Sequence, residues 1–250
     1  NQKGLLLLGG LYSSLKMYDS ALDVYRELGR FHPKSQEAKI YRGALLAEKK
    51  EYTKALAFFQ QLSEDSEFED EAQAHYYMGR IESEREDQRD LKKAQRHYEN
   101  ALQARPDFLE AVLSLYEMHL AQAQEDKGIE LLESFQRQFG PRRQVAKRLS
   151  AYYVENEDYS KAYDQLRILE GLDERNLNIK VQLALIMIEQ KKHQEAADRL
   201  EDILLEAPEL DKIRYYLAAV YEELGQTSAA IQNYQMIPAS SMYFANSVIH

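Results

Sequence analysis

Apolar residues return every three or four positions along nearly the whole chain, which places them on one face of successive α-helices. A longer period lies over this one. The segment LAAVYEELGQTSAAIQNY, around Ala230, aligns with LGGLYSSLKMYDSALDVY, around Ala21. Leu217 then falls on Leu8, Ala218 on Gly9, Tyr221 on Tyr12 and Tyr234 on Tyr25. A small residue recurs at Ala21, Ala55, Ala94, Gly128, Ala162, Ala196 and Ala230, at intervals of 34 residues except one of 39 between Ala55 and Ala94. A fixed period of this size predicts an array of helical units, each covering its neighbour's apolar face.

Counting from Gln2 as position 1, position 7 holds Leu8, Arg42, Met78, Leu115, Leu149, Leu183 and Leu217. Position 8 holds Gly9, Gly43, Gly79, Tyr116, Ser150, Ala184 and Ala218, and position 24 holds Tyr25, Phe59, Tyr98, Leu132, Leu166, Leu200 and Tyr234. Pro33, Pro106 and Pro208 close three repeats at position 32, and Pro141 sits one residue late. This pattern resembles the tetratricopeptide repeat family, whose unit is a pair of antiparallel helices with L-G-x-x-Y…A-x-x-x-F…P spacing. The resemblance implies an all-α fold: a single α-solenoid over 1–250, wound as a right-handed superhelix of antiparallel helix pairs. Its repeats would be 2–35, 36–71, 72–108, 109–142, 143–176, 177–210 and 211–237, with a truncated eighth helix at 238–250.

The spacing has a physical reason. Small residues at positions 8 and 20 let the two helices of a hairpin approach, and a large residue at 24 fills the gap against the next hairpin. Proline at 32 stops one helix and suits the first turn of the next. The departures carry expectations of their own. The family aromatic at position 4 is missing as a Trp throughout. About three extra residues within REDQRDLKK lengthen the third hairpin's connection, and two more fall within SEDSEFEDEAQ. Tyr116 and Gly128 make the fourth repeat the loosest, Pro238 shortens the seventh repeat's second helix, and YFANSVIH restarts a first helix.

The opening run KGLLLLGGLY could be a secretory signal, but four leucines fall short of an apolar core of roughly 7–15 residues. Leu8, Gly9 and Tyr12 are also in register with six later copies, so the run reads as the first helix of the first repeat. Of 250 residues 44% are hydrophobic and only 10 are Gly and 5 Pro, which favours helix and a sizeable core. No stretch nears the roughly eighteen apolar residues of a membrane span, so direct membrane insertion is not expected. The chain begins at Asn1 and ends at ANSVIH, which reads as an excerpt of a longer protein.

Charge and residue types narrow the chemistry. A net charge of −10 argues against nucleic acid as a partner. The absence of cysteine excludes disulfides, zinc thiolates and a thiol nucleophile. His32, His75, His97, His119, His193 and His250 are scattered, without i, i+4 pairing or an HExxH frame. LGGLYSSL is not a phosphate loop, and no G-x-S-x-G elbow is present. The expectation is a protein that is not an enzyme and has no cofactor and no metal.

First helices of stacked hairpins line the concave face of a solenoid. The resemblance places ligands there against positions 2, 5, 6, 9, 12 and 13. Tyr41, Tyr76, Tyr77, Arg80, Lys147, Arg148, Tyr215 and Tyr216 fall on these positions, residue types that often carry binding energy. Helix-pair packing competes for the tyrosines, although adjacent pairs cannot both be buried on one narrow stripe. Glu48, Glu84, Glu155, Glu189 and Glu223 at position 13 would form an acidic rim for a basic or amide-rich partner, with an ordinary solvated helix end as the competing reading. Some relatives in the family clamp a C-terminal carboxylate. Here Leu6, Gly10 and Tyr41 stand at the first clamp positions, so that activity does not carry over.

Leu5, Leu7, Leu8 and Leu11 at one end, and Phe244, Val248 and Ile249 at the other, lack a covering hairpin, which predicts a homo-oligomer through the terminal repeats. The function expected is a scaffold for other proteins or peptides. The alternatives are a regulatory or targeting module of a larger enzyme and a bacterial cell-envelope assembly protein. The compartment expected is the cytoplasm or, preferred, the bacterial envelope.

Overall fold

A computed structural model describes residues 1–86 and 89–249, the last without its side chain. Among these residues the chain forms fifteen helices and no strand. It divides into two compact units, Asn1–Phe139 and Gly140–His250. The first holds α1 (Gln2–Ser14), α2 (Tyr18–Phe31), α3 (Gln36–Glu48), α4 (Tyr52–Ser63), α5 (Glu71–Glu84), α6 (Leu91–Ala104), α7 (Leu109–Ala121) and α8 (Glu125–Phe139). The second holds α9 (Arg143–Glu155), α10 (Tyr159–Leu172), α11 (Leu177–Glu189), α12 (His193–Glu206), α13 (Asp211–Glu223), α14 (Thr227–Gln235) and α15 (Phe244–Ile249). Each unit is an all-α solenoid in which every helix packs on the one before and the one after it.

Local chemistry sets the helix ends. Ser35, Asp70, Asp90, Asp158 and Asn176 cap α3, α5, α6, α10 and α11, each accepting from the backbone N–H three residues on. Between the two helices of a hairpin the residue at position 15 turns left-handed: Lys16, Lys50, Ala123, Glu157 and Lys191 at φ 54–59°, and Gly225 at 71°. That turn closes the first helix: Met17 N–H, for example, donates back to Tyr12 O at 2.9 Å. In the third hairpin α5 ends at Glu84 and α6 begins at Leu91, and part of the insertion expected between them, at 87–88, lies outside the described residues. The second insertion is the connection 64–70 between α4 and α5.

All seven position-24 side chains are buried, from Phe59, Leu132 and Leu200 at 0% exposure to Tyr234 at 5%. Burying each contributes about 1.5–3 kcal/mol. In the first three hairpins the ring lies across a glycine of the first helix. A Cβ on Gly9 would sit 2.5 Å from Tyr25, one on Gly43 2.4 Å from Phe59, and one on Gly79 2.7 Å from Tyr98. The fourth hairpin exchanges these roles rather than loosening. Tyr116 is large at position 8, and its ring comes within 3.0 Å of where a Gly128 Cβ would stand. In the seventh, α14 has nine residues and ends before Pro238. The next helix starts only at Phe244, because 238–243 form a turn closed by Ser241 N–H to Pro238 O at 2.8 Å.

Candidate partner-binding grooves

In the first unit, α1, α3 and α5 stand side by side and their inner faces enclose a groove of about 750 Å³. Tyr41, Tyr77 and Arg80 line it together with Glu48 and Glu84, so five of the residues singled out by position meet there. Two stacks build its wall. Tyr25 and Tyr41 lie 5.2 Å apart, and Phe59 and Tyr77 lie parallel at 5.0 Å. Each stack joins a position-24 ring to the position-6 tyrosine of the following repeat, so helix spacing and groove lining are one arrangement. Tyr76 goes elsewhere: it packs between Tyr98 and Phe108, at 5.9 and 5.1 Å. The adjacent pair therefore divides, one ring to the groove and one to the hairpin interface.

Charges in this groove are largely matched. Arg80 lies 5.9 Å from the Tyr77 ring centroid and donates twice to Glu84, at 3.2 and 3.3 Å. Burial works against the Arg80 charge, but the Glu84 carboxylate more than compensates and raises its pKa. Lys50 pairs with Glu86 at 2.8 Å. Glu48 accepts from Ser13 Oγ at 3.3 Å and has no cationic partner among the described residues. Burial raises the Tyr25 and Tyr77 hydroxyls, and the Glu48 charge pushes both further in the same direction. Sequence position assigned Tyr25 to packing only, yet it also lines the groove.

In the second unit, α9 and α11 enclose a groove of about 710 Å³. Lys147 and Glu155 line it, joined by the polar Arg143, Asn178 and Gln182 and the apolar Val154 and Leu185. Asn178 and Gln182 carry no signal in the sequence that would mark them as groove residues. Arg143 donates to Asp173 at 3.3 Å and to Leu172 O at 2.9 Å. Arg148 donates to Gln144 O at 3.2 Å and is not among the lining residues. Tyr215 packs on Tyr234 and Tyr243, and Tyr216 lies under Lys212. Glu189 and Glu223 are exposed and not brought to this groove.

Leu7, Leu8 and Leu11 are 76%, 38% and 55% exposed on α1, whereas Leu5 is half-buried. Phe244 and Val248 are 37% and 67% exposed on α15, and the Ile249 side chain lies outside the described residues. The histidines are mostly apart, but His75 on α5 and His97 on α6 stack at 5.7 Å. His250 lies outside the described residues. Burial pushes the His75 pKa down, and burial together with the neighbouring His75, Arg96 and Lys93 takes His97 down to about 4. No group of three or more metal-ligating side chains gathers among the described residues, and none of their helices is long and apolar enough to cross a membrane.

Tetratricopeptide repeat profiles match residues 11–69 and 187–241. No curated protein sequence matches the chain. Among solved structures, the C-terminal part of a TPR repeat-containing protein from Cytophaga hutchinsonii aligns over 96% of this chain and 98% of its own, at 16% identity and a TM-score of 0.63. A structure of MamA protein aligns over 70% of this chain and 94% of its own, at 18% identity and a TM-score of 0.51. Likeness at this identity concerns the fold.

Proposed function

The chain belongs to the tetratricopeptide repeat family, and from that premise we propose that it is a non-catalytic scaffold holding segments of other proteins along the inner faces of its first helices. The observation that carries this reading is the groove of the first unit. Tyrosine and arginine converge there from three consecutive repeats with their rings already stacked, so little side-chain freedom is lost on binding. Selection of random peptides displayed on phage against the full chain tests it. Selected peptides should lose at least tenfold in affinity for a Tyr41→Ser/Tyr77→Ser variant that keeps the wild-type circular dichroism. Equal binding to both proteins refutes the groove.

A second reading concerns self-association. The exposed leucines of α1 form an apolar strip on a helix whose opposite face is packed, and a second copy of the chain is an occupant that would cover it. The same holds for Phe244 and Val248 on α15.

A further inference from the structure

We propose that the groove of the first unit receives a cationic side chain, an arginine or lysine of a partner segment, in a pocket walled by Tyr25, Tyr41 and Tyr77 and closed by Glu48. The proposal rests on the groove reading above and specifies its chemistry.

The first observation is a groove-facing hydroxyl that no other side chain or backbone group of the described residues engages. Tyr25 is 2% exposed, lines the groove, and makes no hydrogen bond among the described residues. Its Oη stands 4.0 Å from where a Cβ on the groove-lining Gly10 would be. Other tyrosines at the same repeat position are served from position 12 of their own repeat. Tyr98 Oη shares a hydrogen bond with Ser83 at 3.3 Å, and Tyr234 Oη donates to Glu222 at 2.9 Å. In the first repeat that position is Ser13, which turns instead to Glu48 on the next hairpin. The Tyr25 ring is buried but its hydroxyl opens onto the groove without a protein partner, so it is available to a ligand seated there.

The second observation is the sign of the local charge. Arg80 is taken by Glu84 and Lys50 by Glu86, which leaves Glu48, among the described residues, as the groove carboxylate without a cation. Glu48 acts electrostatically on both Tyr25 and Tyr77, and Tyr41 does the same, so the three rings and the carboxylate form one cluster. The chain's own Arg80 already lies beside Tyr77, which shows that this wall accepts a guanidinium. An incoming guanidinium or ammonium would donate to Tyr25 Oη and to Glu48 while facing the tyrosine rings. An anionic side chain is repelled by Glu48, and an apolar one makes no use of Glu48 or the Tyr25 hydroxyl.

Binding of N-acetyl-arginine amide, N-acetyl-norleucine amide and N-acetyl-glutamate amide to the full chain tests the assignment, read from the tyrosine ring signals by NMR. The arginine amide should shift the Tyr25, Tyr41 and Tyr77 signals at millimolar concentrations. Its binding should weaken about fivefold or more in Glu48→Gln, an exposed near-isosteric change, and about threefold in Tyr25→Phe. The norleucine and glutamate amides should leave those signals in place. Equal shifts from norleucine and arginine amides, or arginine binding unchanged in both variants, would overturn the cationic pocket while leaving a ligand-binding groove standing. No shift with any of the three would overturn the pocket and count against the groove itself.

Discussion

Replacing Gly43 with alanine should destabilise this protein, while the same replacement at Gly29 should stabilise it. Both glycines lie inside helices, α3 and α2, so each substitution gains about 1 kcal/mol of helix propensity. They differ in what the new methyl group meets. At Gly29 nothing lies within 4 Å, so the gain stands at about 0.5–1 kcal/mol. At Gly43 the Cβ would lie 2.4, 2.7 and 2.8 Å from three atoms of the Phe59 ring. Ordinary contact begins near 3.4 Å, so the ring must retreat by about 1 Å.

Little room exists for that retreat. Phe59 is 0% exposed, stacks flat on Tyr77 at 5.0 Å and meets Phe58 edge-on at 5.9 Å. Overpacking of this kind costs about 1–3 kcal/mol, and with three clashing atoms the upper part of that range applies. The net for Gly43→Ala is then about 1–2 kcal/mol lost, and the two variants should differ by about 1.5–3 kcal/mol. Urea unfolding monitored by circular dichroism reads this as midpoints displaced in opposite directions at constant slope. Phe59→Leu, which removes ring volume, should cost less in the Gly43→Ala background than alone, a coupling that a double-mutant cycle isolates. Midpoints moving the same way for both glycines, or no coupling to Phe59, would refute the argument that the ring occupies the space of the missing Cβ.

Two further outcomes follow from the observed geometry. The His75 and His97 pKa values lie below the unfolded imidazole value near 6.5, that of His97 at about 4, so their neutral forms favour the fold. That contribution is complete above about pH 6.5 and is lost as the pH falls toward 4. Glu71, 3.5 Å from His75, partly opposes the effect, and Lys93 and Arg96 reinforce it at His97. The fall in melting temperature between pH 7 and 4.5 should therefore be about 2–4 °C smaller in His97→Gln than in wild type, and equal falls would exclude His97 as a source. Separately, molar mass by light scattering should rise toward dimer with concentration and return to monomer in Leu11→Glu. A constant monomer mass would retire self-association through the α1 leucines.

The hairpin pattern was legible because its constraints fall on residue size at fixed positions. A glycine at position 8 with a ring at 24 is one packing event written in two places, as Gly43 and Phe59 show. Reading each position alone failed at the fourth repeat. Tyr116 and Gly128 look like two losses, but they are one exchange that leaves the gap filled. The left-handed turn at position 15 was hidden for another reason. Only Gly225 carries the residue type that signals it, while three lysines, a glutamate and an alanine adopt the same φ because Schellman-type closure holds the backbone there. The split between Tyr76 and Tyr77 was bounded by helix geometry, but which ring faced the groove depended on neighbours that the repeat period does not name.

Tyr25 shows why the groove was less legible than the fold. Its ring serves packing, as position 24 dictates, and it lies against α1 because Gly9 carries no Cβ. Its hydroxyl faces the groove without a protein partner while Ser13 bonds to Glu48, whereas the equivalent Ser83 meets Tyr98. The same residue type at the same repeat position thus has different partners, a carboxylate on the following hairpin in one repeat and the position-24 ring of its own hairpin in the other. A repeat array can keep its packing rule fixed in every copy and still make one groove chemically distinct. What it varies is the polar partner at position 12 and the charge one repeat further on, and neither substitution disturbs the buried apolar contacts that hold the stack together.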